Sequence, residues 1–314
     1  MRARLAAAAA LMLVLAGCAG TGEAPGAVVA SGAVPLPLNV QDPAAVPSAA
    51  PTPKCDPRAS LPPSAQVGPT VAWIKKRGRL IVGIDQNAYL FGFRDPNTGE
   101  LAGFEIDMAR AVARAIFGDP EAVQFRAITT ADRVPVLQRH EVDLVIRTMT
   151  MTCERWQQVS FSTEYLHSVQ KLLVRKGEKI RSFAQLGGRK VCATRGSTSI
   201  RTIAAQPSKP VPVSTDSTLD CLVMLQQRQV DAVSTIDVLL AGLAAQDPGT
   251  EVVGPAVSNE PAGIGIAREQ PDLVRFVNSA LERIRADGTW QRSYDRWLAP
   301  RLGPAGPPAA VYRD

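Results

Sequence analysis

A loop rich in hydroxyl residues follows one predicted strand and is suited to binding a small anion. Residues 190–194 have the apolar character of a strand, and Arg195-Gly196-Ser197-Thr198-Ser199 leads from it into a predicted helix. Backbone N–H groups at the start of a helix bind anions, and hydroxyl side chains can add to such a site. An ordinary helix N-cap has the same pattern, so the loop alone does not decide the function.

Arg147 directly follows a second short apolar strand. A buried arginine is costly without an anion beside it, so this position indicates a nearby carboxylate. The side chain of a bound acidic ligand would serve, with Arg195 assisting, and a salt bridge to Asp85 at the end of the first strand would serve equally. Strict strand alternation would place Arg147 on the face opposite Thr148 and Thr150.

The chain carries no pattern typical of an enzyme or of a metal site. Its two histidines are His140 and His167, and its cysteines lack the spacing of a zinc site. Neither Gly-x-Ser-x-Gly nor His-Glu-x-x-His occurs, and Gly263-Ile264-Gly265 lacks the third glycine of a dinucleotide-binding loop. We therefore expect a protein that is not an enzyme and that uses no metal and no cofactor.

Apolar strands alternate with amphipathic helices over most of the chain, which indicates an α/β protein with mostly parallel sheets. The first elements are predicted as helices over residues 71–77 and 104–117 and strands over 79–85, 143–146 and 171–174. A second group has strands over 190–194, 211–214 and 230–234 and helices over 199–205, 218–228, 238–245, 271–286 and 289–298. Ligands of open α/β sheets bind beyond the carboxyl ends of strands, so two facing sheets would enclose a cleft.

The first residues predict export to an extracytoplasmic location. Two arginines precede an apolar run over residues 5–16, which suits a signal peptide and is too short to span a bilayer. The run ends in Leu-Ala-Gly-Cys18, which resembles a bacterial lipobox, so residues 1–17 would be removed and Cys18 lipidated to anchor the protein to the cell membrane. An ordinary secretion signal with an incidental cysteine is the alternative. Residues 18–66 are rich in proline and alanine and predict a flexible tether.

The charge of the chain does not indicate a nucleic-acid partner. The formal net charge is +6, and the basic residues are scattered along the sequence. Aromatic residues make up 5% of the chain. A basic surface that binds nucleic acid is clustered and often interleaved with aromatic residues, so we expect no nucleic acid among the partners.

Four segments occur in an order that is typical of one known family. They are residues 74–83 (IKKRGRLIVG), 101–109 (LAGFEIDMA), 150–155 (TMTCER) with Phe161-Ser162 after it, and 277–298 at the C-terminal end. Together they resemble the extracellular solute-binding proteins of family 3, the glutamine- and glutamate-binding receptors of ABC importers. The resemblance implies a two-lobed periplasmic-binding-protein type II fold, with an α/β sandwich in each lobe and a two-strand hinge.

The resemblance also implies where the chain would cross between its lobes. The crossings fall near residues 167–171 and 259–263. Lobe 1 is then expected to comprise residues 67–168 and 263–314. Lobe 2, with the hinge segments, is expected to comprise residues 169–262.

A free amino acid presents a carboxylate and an ammonium, and the resemblance assigns residues to both. Arg155 matches the arginine that binds the carboxylate, which a guanidinium can grip with two parallel hydrogen bonds. Thr150 matches a residue that contacts the ligand through its N–H and hydroxyl, and Thr148 one whose carbonyl accepts from the ammonium. The Thr198 N–H would close on the carboxylate from the other lobe. Outside this context, Arg155 would form a surface ion pair with Glu154.

The acidic partner of the ammonium is the one departure from the family's pattern. The family places an aspartate at the position that is Ile236 here, and Asp237 comes next. Either Asp237 turns into the cleft or Asp85 supplies the charge, and Asp237 would otherwise cap the following helix. Tyr89, after the first strand, would line the carbon chain of the ligand.

These observations together predict a monomeric receptor for an amino acid. Arg147 favours glutamate or aspartate over glutamine or asparagine. The resemblance implies delivery of the ligand to an ABC permease. The same ligand capture would also suit a sensor that signals through a membrane protein, and a few relatives with this fold are dehydratase-like enzymes.

Four cysteines remain if Cys18 carries lipid, and they allow three disulfide pairings in an oxidising compartment. Cys192 lies on a predicted strand and Cys221 on a predicted helix of the same lobe. Cys55 ends the tether, and Cys153 follows a strand of the other lobe. These positions favour the pairs Cys55–Cys153 and Cys192–Cys221.

Overall fold

The computed structural model describes residues 34–46 and 54–313 and contains two five-stranded sheets, one in each of two lobes. The strands in chain order are β1 (Ala59–Ser60), β2 (Leu80–Ile84), β3 (Asn87–Ala88), β4 (Gly92–Arg94), β5 (Leu101–Ala102), β6 (Val123–Ala127), β7 (Leu144–Val145), β8 (Ser160–Phe161), β9 (Gln170–Arg175), β10 (Lys190–Thr194), β11 (Val211–Thr215), β12 (Ala232–Ile236), β13 (Thr250–Val253), β14 (Gly265–Ile266) and β15 (Val311–Tyr312). The helices are α1 (Pro69–Arg77), α2 (Phe104–Phe117), α3 (Arg133–Gln138), α4 (Cys153–Trp156), α5 (Thr198–Ala204), α6 (Thr218–Gln226), α7 (Asp237–Gln246), α8 (Pro271–Ala286), α9 (Thr289–Trp297) and α10 (Ala299–Leu302).

The sheet of lobe 1 has the strand order β6-β2-β7-β14-β8, in which β2 runs parallel to β6 and β7 while β14 is antiparallel to its neighbours. Successive side chains of β2 enter two different hydrophobic clusters, because side chains alternate between the faces of a sheet. Leu80 and Val82 pack with α1, α2 and α8, whereas Ile81 packs with residues of α3 and β8 on the other face. Both faces of the sheet are therefore covered, as the continuous apolar strand predicts.

The sheet of lobe 2 has the order β11-β10-β12-β9-β13, with β10 parallel to β11 and β12 and β9 antiparallel to β12 and β13. Val191 and Ala193 of β10 pack on one face, and Cys192 packs on the other. The fold is the predicted two-lobed α/β type, but both sheets are mixed, whereas mostly parallel sheets were predicted.

Two segments cross between the lobes side by side. Leu166 pairs with Ala262, and Val169 pairs with Asn259, in antiparallel bridges. The described chain thus leaves lobe 1 before β9 and returns to it after β13. Any change in the angle between the lobes must be absorbed by these two segments.

Gly103 shows why α2 begins where it does. Its φ is +123°, and a Cβ atom there would lie 2.3 Å from the Phe91 carbonyl oxygen. No other residue type fits that approach, which places Phe104 and Glu105 in the first turn of α2. The helix ends at Gly118 in the left-handed conformation, in agreement with the predicted range of 104–117.

Both favoured disulfide pairs are confirmed. Cys55 is joined to Cys153, and Cys192 is joined to Cys221, with Cα–Cα distances of 5.8 and 5.6 Å. The first bond ties the segment before β1 to the start of α4 in lobe 1. The second ties β10 to α6 in lobe 2.

The segment expected to be a flexible tether is packed on both lobes where the structure describes it. Residues 36–46, here called the N-terminal strap, run antiparallel to β11 at the edge of the lobe 2 sheet, with backbone bonds between Gln41 and Ser214 of 2.9 and 3.0 Å. Asp42 also forms a salt bridge with Lys190. Residues after Cys55 pack on lobe 1, where β1 pairs with β15. The expectation of a tether over 18–66 does not hold for these residues, because an unpaired sheet edge accepts an added strand.

The predicted signal peptide, residues 1–17, and Cys18 lie outside the described residues. Within the part of the chain that the structure describes, no helix has the length and apolar character needed to cross a membrane.

Candidate functional site

Arg155 is held at the interface of the two lobes by the short helix α4. Thr152 caps that helix by accepting from the Arg155 backbone N–H at 3.1 Å. The guanidinium is buried and donates to the Thr150 carbonyl oxygen at 2.7 Å and to the Gly196 carbonyl oxygen at 3.1 Å. Burial lowers its pKa to about 10, so it remains charged at neutral pH.

Gly196 belongs to the hydroxyl-rich loop of lobe 2, and this loop closely approaches lobe 1. A Cβ atom on Gly196 would lie 3.0 Å from the Ala131 Cα atom of lobe 1, and the glycine has a φ of +74°. Ser197 caps helix α5 by accepting from the Ile200 N–H. The loop therefore has the N-cap role that its sequence allows, and it also borders the cleft between the lobes.

Thr150 and Thr198 face each other across the cleft. Their hydroxyl oxygens are 3.4 Å apart, and each hydroxyl donates to the Oε2 atom of Glu260 at 2.7 Å. Glu260 lies on the second crossing segment and is 3% exposed. The sequence reasoning missed this residue, although a carboxylate inside a predicted hinge crossing is itself a signal of a contact with both lobes.

Arg147 and Thr148 line the same cavity as Thr150, in contrast to strict alternation along a strand. The strand β7 ends at Val145, and Thr148 has a φ of +41°. A positive φ is rare for a β-branched residue, and it turns the chain so that consecutive side chains reach one cavity. Alternation fails here because the regular strand has already ended.

The salt bridge with Asp85, one of the two partners expected for Arg147, is present. Arg147 Nη2 lies 2.6 Å from Asp85 Oδ2, and its Nη1 donates to the Thr130 hydroxyl. Among the described residues, Arg147 Nε has no hydrogen-bond partner. Arg147 is 4% exposed, so this guanidinium is buried at the cleft with one donor unused.

Arg133 is a second residue that the sequence reasoning missed. It is buried on α3 and donates to the carbonyl oxygens of Thr130, Arg147, Thr148 and Gly196. The Thr148 carbonyl, which the resemblance assigned to the ligand's ammonium, therefore accepts from a guanidinium at 3.1 Å. Burial lowers the pKa of Arg133. Its region, residues 123–138, lacks a clear apolar period, so no helix was predicted there.

Glu105 lies behind Thr148 in the interior of lobe 1. Its Oε1 atom accepts from the Thr148 N–H and from the Tyr165 hydroxyl. Glu105 is 1% exposed, and burial raises its pKa to about 7, although both hydrogen bonds oppose that shift. The Glu105 carboxyl therefore fixes the position of the Thr148 backbone through this hydrogen bond.

Four of the predicted site residues lie elsewhere. Arg155 lines a neighbouring cavity with Ala131 and Gly196, and it is absent from the lining of the cleft. Asp237 begins α7, where its carboxylate accepts from the N–H groups of Val169 and Val238, and it does not line the cleft that Ile236 lines. Arg195 pairs with Asp216 and does not line the cleft that Arg147 lines. Tyr89 lines a smaller neighbouring cavity that also includes Asp85 and Leu239.

The described residues contain no group of three or more His, Cys, Asp or Glu side chains placed to hold a metal ion. The polar groups that line the cleft are guanidiniums, hydroxyls and the Asp85 carboxylate, and the Glu260 carboxylate lies behind the hydroxyls of Thr150 and Thr198. Such a set binds a small ligand that carries both a positive and a negative charge.

Comparisons with known proteins agree with this type of site. The sequence profile of the bacterial extracellular solute-binding proteins, family 3, matches residues 80–300. The glutamine-binding protein GlnH of an ABC transporter of Bacillus subtilis is 34% identical over 230 residues, which cover 73% of this chain and 84% of that protein. The glutamate-binding protein GluB of Corynebacterium efficiens is 30% identical over 240 residues, covering 73% of this chain and 80% of that protein.

A solved structure with the same architecture is that of an ancestral amino-acid-binding protein, a precursor of cyclohexadienyl dehydratase. It matches with a TM-score of 0.67 and 32% identity, over 73% of this chain and 99% of that one. The relatives named here therefore include proteins for glutamine and for glutamate, and a binding protein that precedes an enzyme.

Proposed function

Because the chain belongs to the bacterial extracellular solute-binding proteins of family 3 and is similar to amino-acid-binding proteins of ABC transporters, we propose that it is a receptor for glutamate or aspartate. In this proposal the ligand binds in the cleft between lobe 1 and lobe 2. The receptor is anchored outside the cytoplasm through Cys18 and delivers its ligand to an ABC permease. Binding leaves the ligand chemically unchanged.

The charge around the cleft supports an acidic ligand, and this is the observation on which the proposal rests. Three guanidiniums are buried here: Arg133 and Arg147 line the cleft, and Arg155 lies next to it, on the carbonyl of Thr150. Two carboxylates, Asp85 and Glu260, lie beside them, while burial leaves Glu105 partly neutral near pH 7. The guanidiniums therefore outnumber the carboxylates. An amino acid with a carboxylate side chain has a net negative charge and would balance this excess positive charge, whereas the corresponding amide is neutral.

Arg147 is the residue expected to select the side-chain carboxylate. It lies at the cleft with an unused Nε–H donor, and its Nη2 is shared with Asp85. This Nε–H is itself buried, so a ligand carboxylate would reach the guanidinium through Nη1 or Nη2, in competition with Thr130 or Asp85. Arg155, beside Thr150, is expected to bind the α-carboxylate.

Calorimetric titration of the soluble chain beginning after Cys18 tests the proposal, with glutamate, aspartate, glutamine, asparagine and arginine as ligands. We expect the two acidic amino acids to bind tighter than the amides. In Arg147→Ala, glutamate should lose roughly 10-fold or more in affinity and glutamine much less, because a charge-assisted hydrogen bond is lost. Mass spectrometry of the recovered ligand should show no turnover.

Arg189→Ala is a matched control, because it removes an arginine that pairs with Asp231 in lobe 2, away from the cleft residues. It should leave the order of affinities unchanged. A wild-type preference for an amide or for arginine would contradict the choice of ligand. Equal losses of glutamate and glutamine in Arg147→Ala would remove that residue from the explanation.

A further inference from the structure

Glu260 is a buried carboxylate that contacts hydroxyl groups of both lobes. Its Oε2 atom accepts from Thr150 of lobe 1 and from Thr198 of lobe 2 at 2.7 Å each, and its Oε1 atom accepts from Ser258 at 2.7 Å. The residue lies in the second crossing segment, immediately before Pro261. One carboxylate therefore accepts from three hydroxyl donors, and two of them, Thr150 and Thr198, belong to different lobes.

The contact decides the direction in which the two threonine hydroxyls donate. A carboxylate only accepts hydrogen bonds, so the protons of Thr150 and Thr198 point at Glu260. The remaining lone pairs of both oxygens are then acceptors. Both threonines line the cleft, whereas Glu260 lies behind them and borders a cavity on the hinge side. The cleft thus contains two acceptor oxygens 3.4 Å apart that are backed by a negative charge.

An ammonium group matches this arrangement, since it has a positive charge and three N–H donors and accepts nothing. A neutral or anionic group would gain less, because neither threonine has a proton left to donate. Arg155 donates to the Thr150 carbonyl, so a guanidinium lies next to the same threonine. Adjacent positive and negative groups complement the adjacent carboxylate and ammonium of an α-amino acid.

The two other acidic residues considered for this role are engaged elsewhere. Asp85 is paired with Arg147 at 2.6 Å. Asp237 accepts from backbone N–H groups at the start of α7 and does not line the cleft. Glu260 is therefore the carboxylate that best replaces the aspartate missing at Ile236.

We propose that Glu260 is a positioning residue that makes Thr150 and Thr198 specific for the α-ammonium of the ligand. This inference rests on the proposed function, because it assigns one subsite of that amino-acid site. The expected consequence is discrimination between an amino acid and the same molecule without its amino group.

The test compares glutamate with glutarate, its analogue without the amino group, by calorimetry on the wild type and Glu260→Gln. The glutamine amide keeps the size of the side chain but loses its charge and can donate to a threonine oxygen. We expect the preference for glutamate over glutarate to fall by roughly 10- to 100-fold, because glutamate binding weakens while glutarate binding changes little. Glu100→Gln makes the same charge change at an exposed turn and should leave the preference unchanged.

Equal weakening of both ligands, or an unchanged preference, would overturn the inference and leave Glu260 as a structural link between the lobes. Failure of the wild type to bind glutamate would instead contradict the proposed function. Thr198→Val provides an independent variant if Glu260→Gln does not fold. It removes one acceptor while retaining Glu260, and it should also lower the preference for glutamate; loss of both ligands alike would again overturn the inference.

Discussion

The environment of Glu105 predicts a dependence of stability on pH that one substitution should abolish. Its carboxyl group is 1% exposed, and its Oε2 atom has no hydrogen-bond partner among the described residues. Burial raises its pKa from 4.5 to about 7, against the opposing effects of Tyr165 and of the Thr148 N–H. The folded protein therefore binds this proton more tightly than the unfolded chain does.

The sign and size of the effect follow from linkage between protonation and folding. Below a pH of about 4.5 the carboxyl is protonated in both states, and its contribution to stability is complete. Between pH 4.5 and about 7 the unfolded chain loses the proton first, so stability falls as the pH rises. The shift corresponds to a loss of about 3 kcal/mol once the pH exceeds about 7.

Glu105→Gln mimics the protonated side chain, because its amide oxygen can still accept from Tyr165 and from the Thr148 N–H. Denaturant unfolding of the wild type and the variant between about pH 4.5 and about pH 8 gives the difference in their free energies of unfolding. We expect this difference to shift by about 3 kcal/mol in favour of the variant as the pH rises. Glu100→Gln, at an exposed position, should show no such shift.

Parallel curves for the wild type and Glu105→Gln would refute this reasoning, since they would mean that Glu105 has the same pKa in both states. A shift of opposite sign would mean that the carboxylate is stabilised in the fold, and the hydrogen bonds from Tyr165 and Thr148 would then outweigh burial.

The remaining predictions concern the N-terminal part of the chain. A chain that begins at residue 47 lacks the N-terminal strap and should be about 2 kcal/mol less stable than one that begins at residue 34, because backbone bonds to β11 and the Asp42–Lys190 pair are lost. Thermal unfolding would show this as a lower Tm, and equal Tm values would contradict a stabilising role of the strap. Cys18→Ser should move the full-length protein from the membrane to the soluble fraction of expressing cells, and a wild type that is already soluble would argue against the lipid anchor.

Much of the fold could be predicted because local sequence is sufficient for its elements. The helix α2 was predicted over its full range, since its apolar residues follow the helical period and Gly118 ends it. The strand β10 is mainly apolar and buried after its first residue, and buried strands in α/β proteins have that pattern. The disulfide pairs followed from which elements carry each cysteine.

Local patterns were insufficient where a partner distant in sequence decides the structure. The composition of the N-terminal strap predicts a flexible segment. Residues 36–46 nevertheless lie along β11, because an edge strand has unpaired backbone groups. Asp237 reads equally well as a cleft residue and as a helix start. In the structure it begins the helix α7, and its carboxylate accepts from the Val169 N–H on the first crossing segment.

The sequence by itself determined the α/β character, the main helices and strands and the family, because each depends on short-range periodicity or on motifs, and it favoured the disulfide pairs that the structure contains. Only the tertiary structure decided the partners of the charged groups. Asp85 neutralises Arg147, Arg133 holds the Thr148 carbonyl, and Glu260 joins two threonines that are distant in sequence. The physical reason is that a buried charge must find an opposite charge or a hydrogen bond within a few ångströms, and residues far apart in sequence meet at such distances only after the chain has folded.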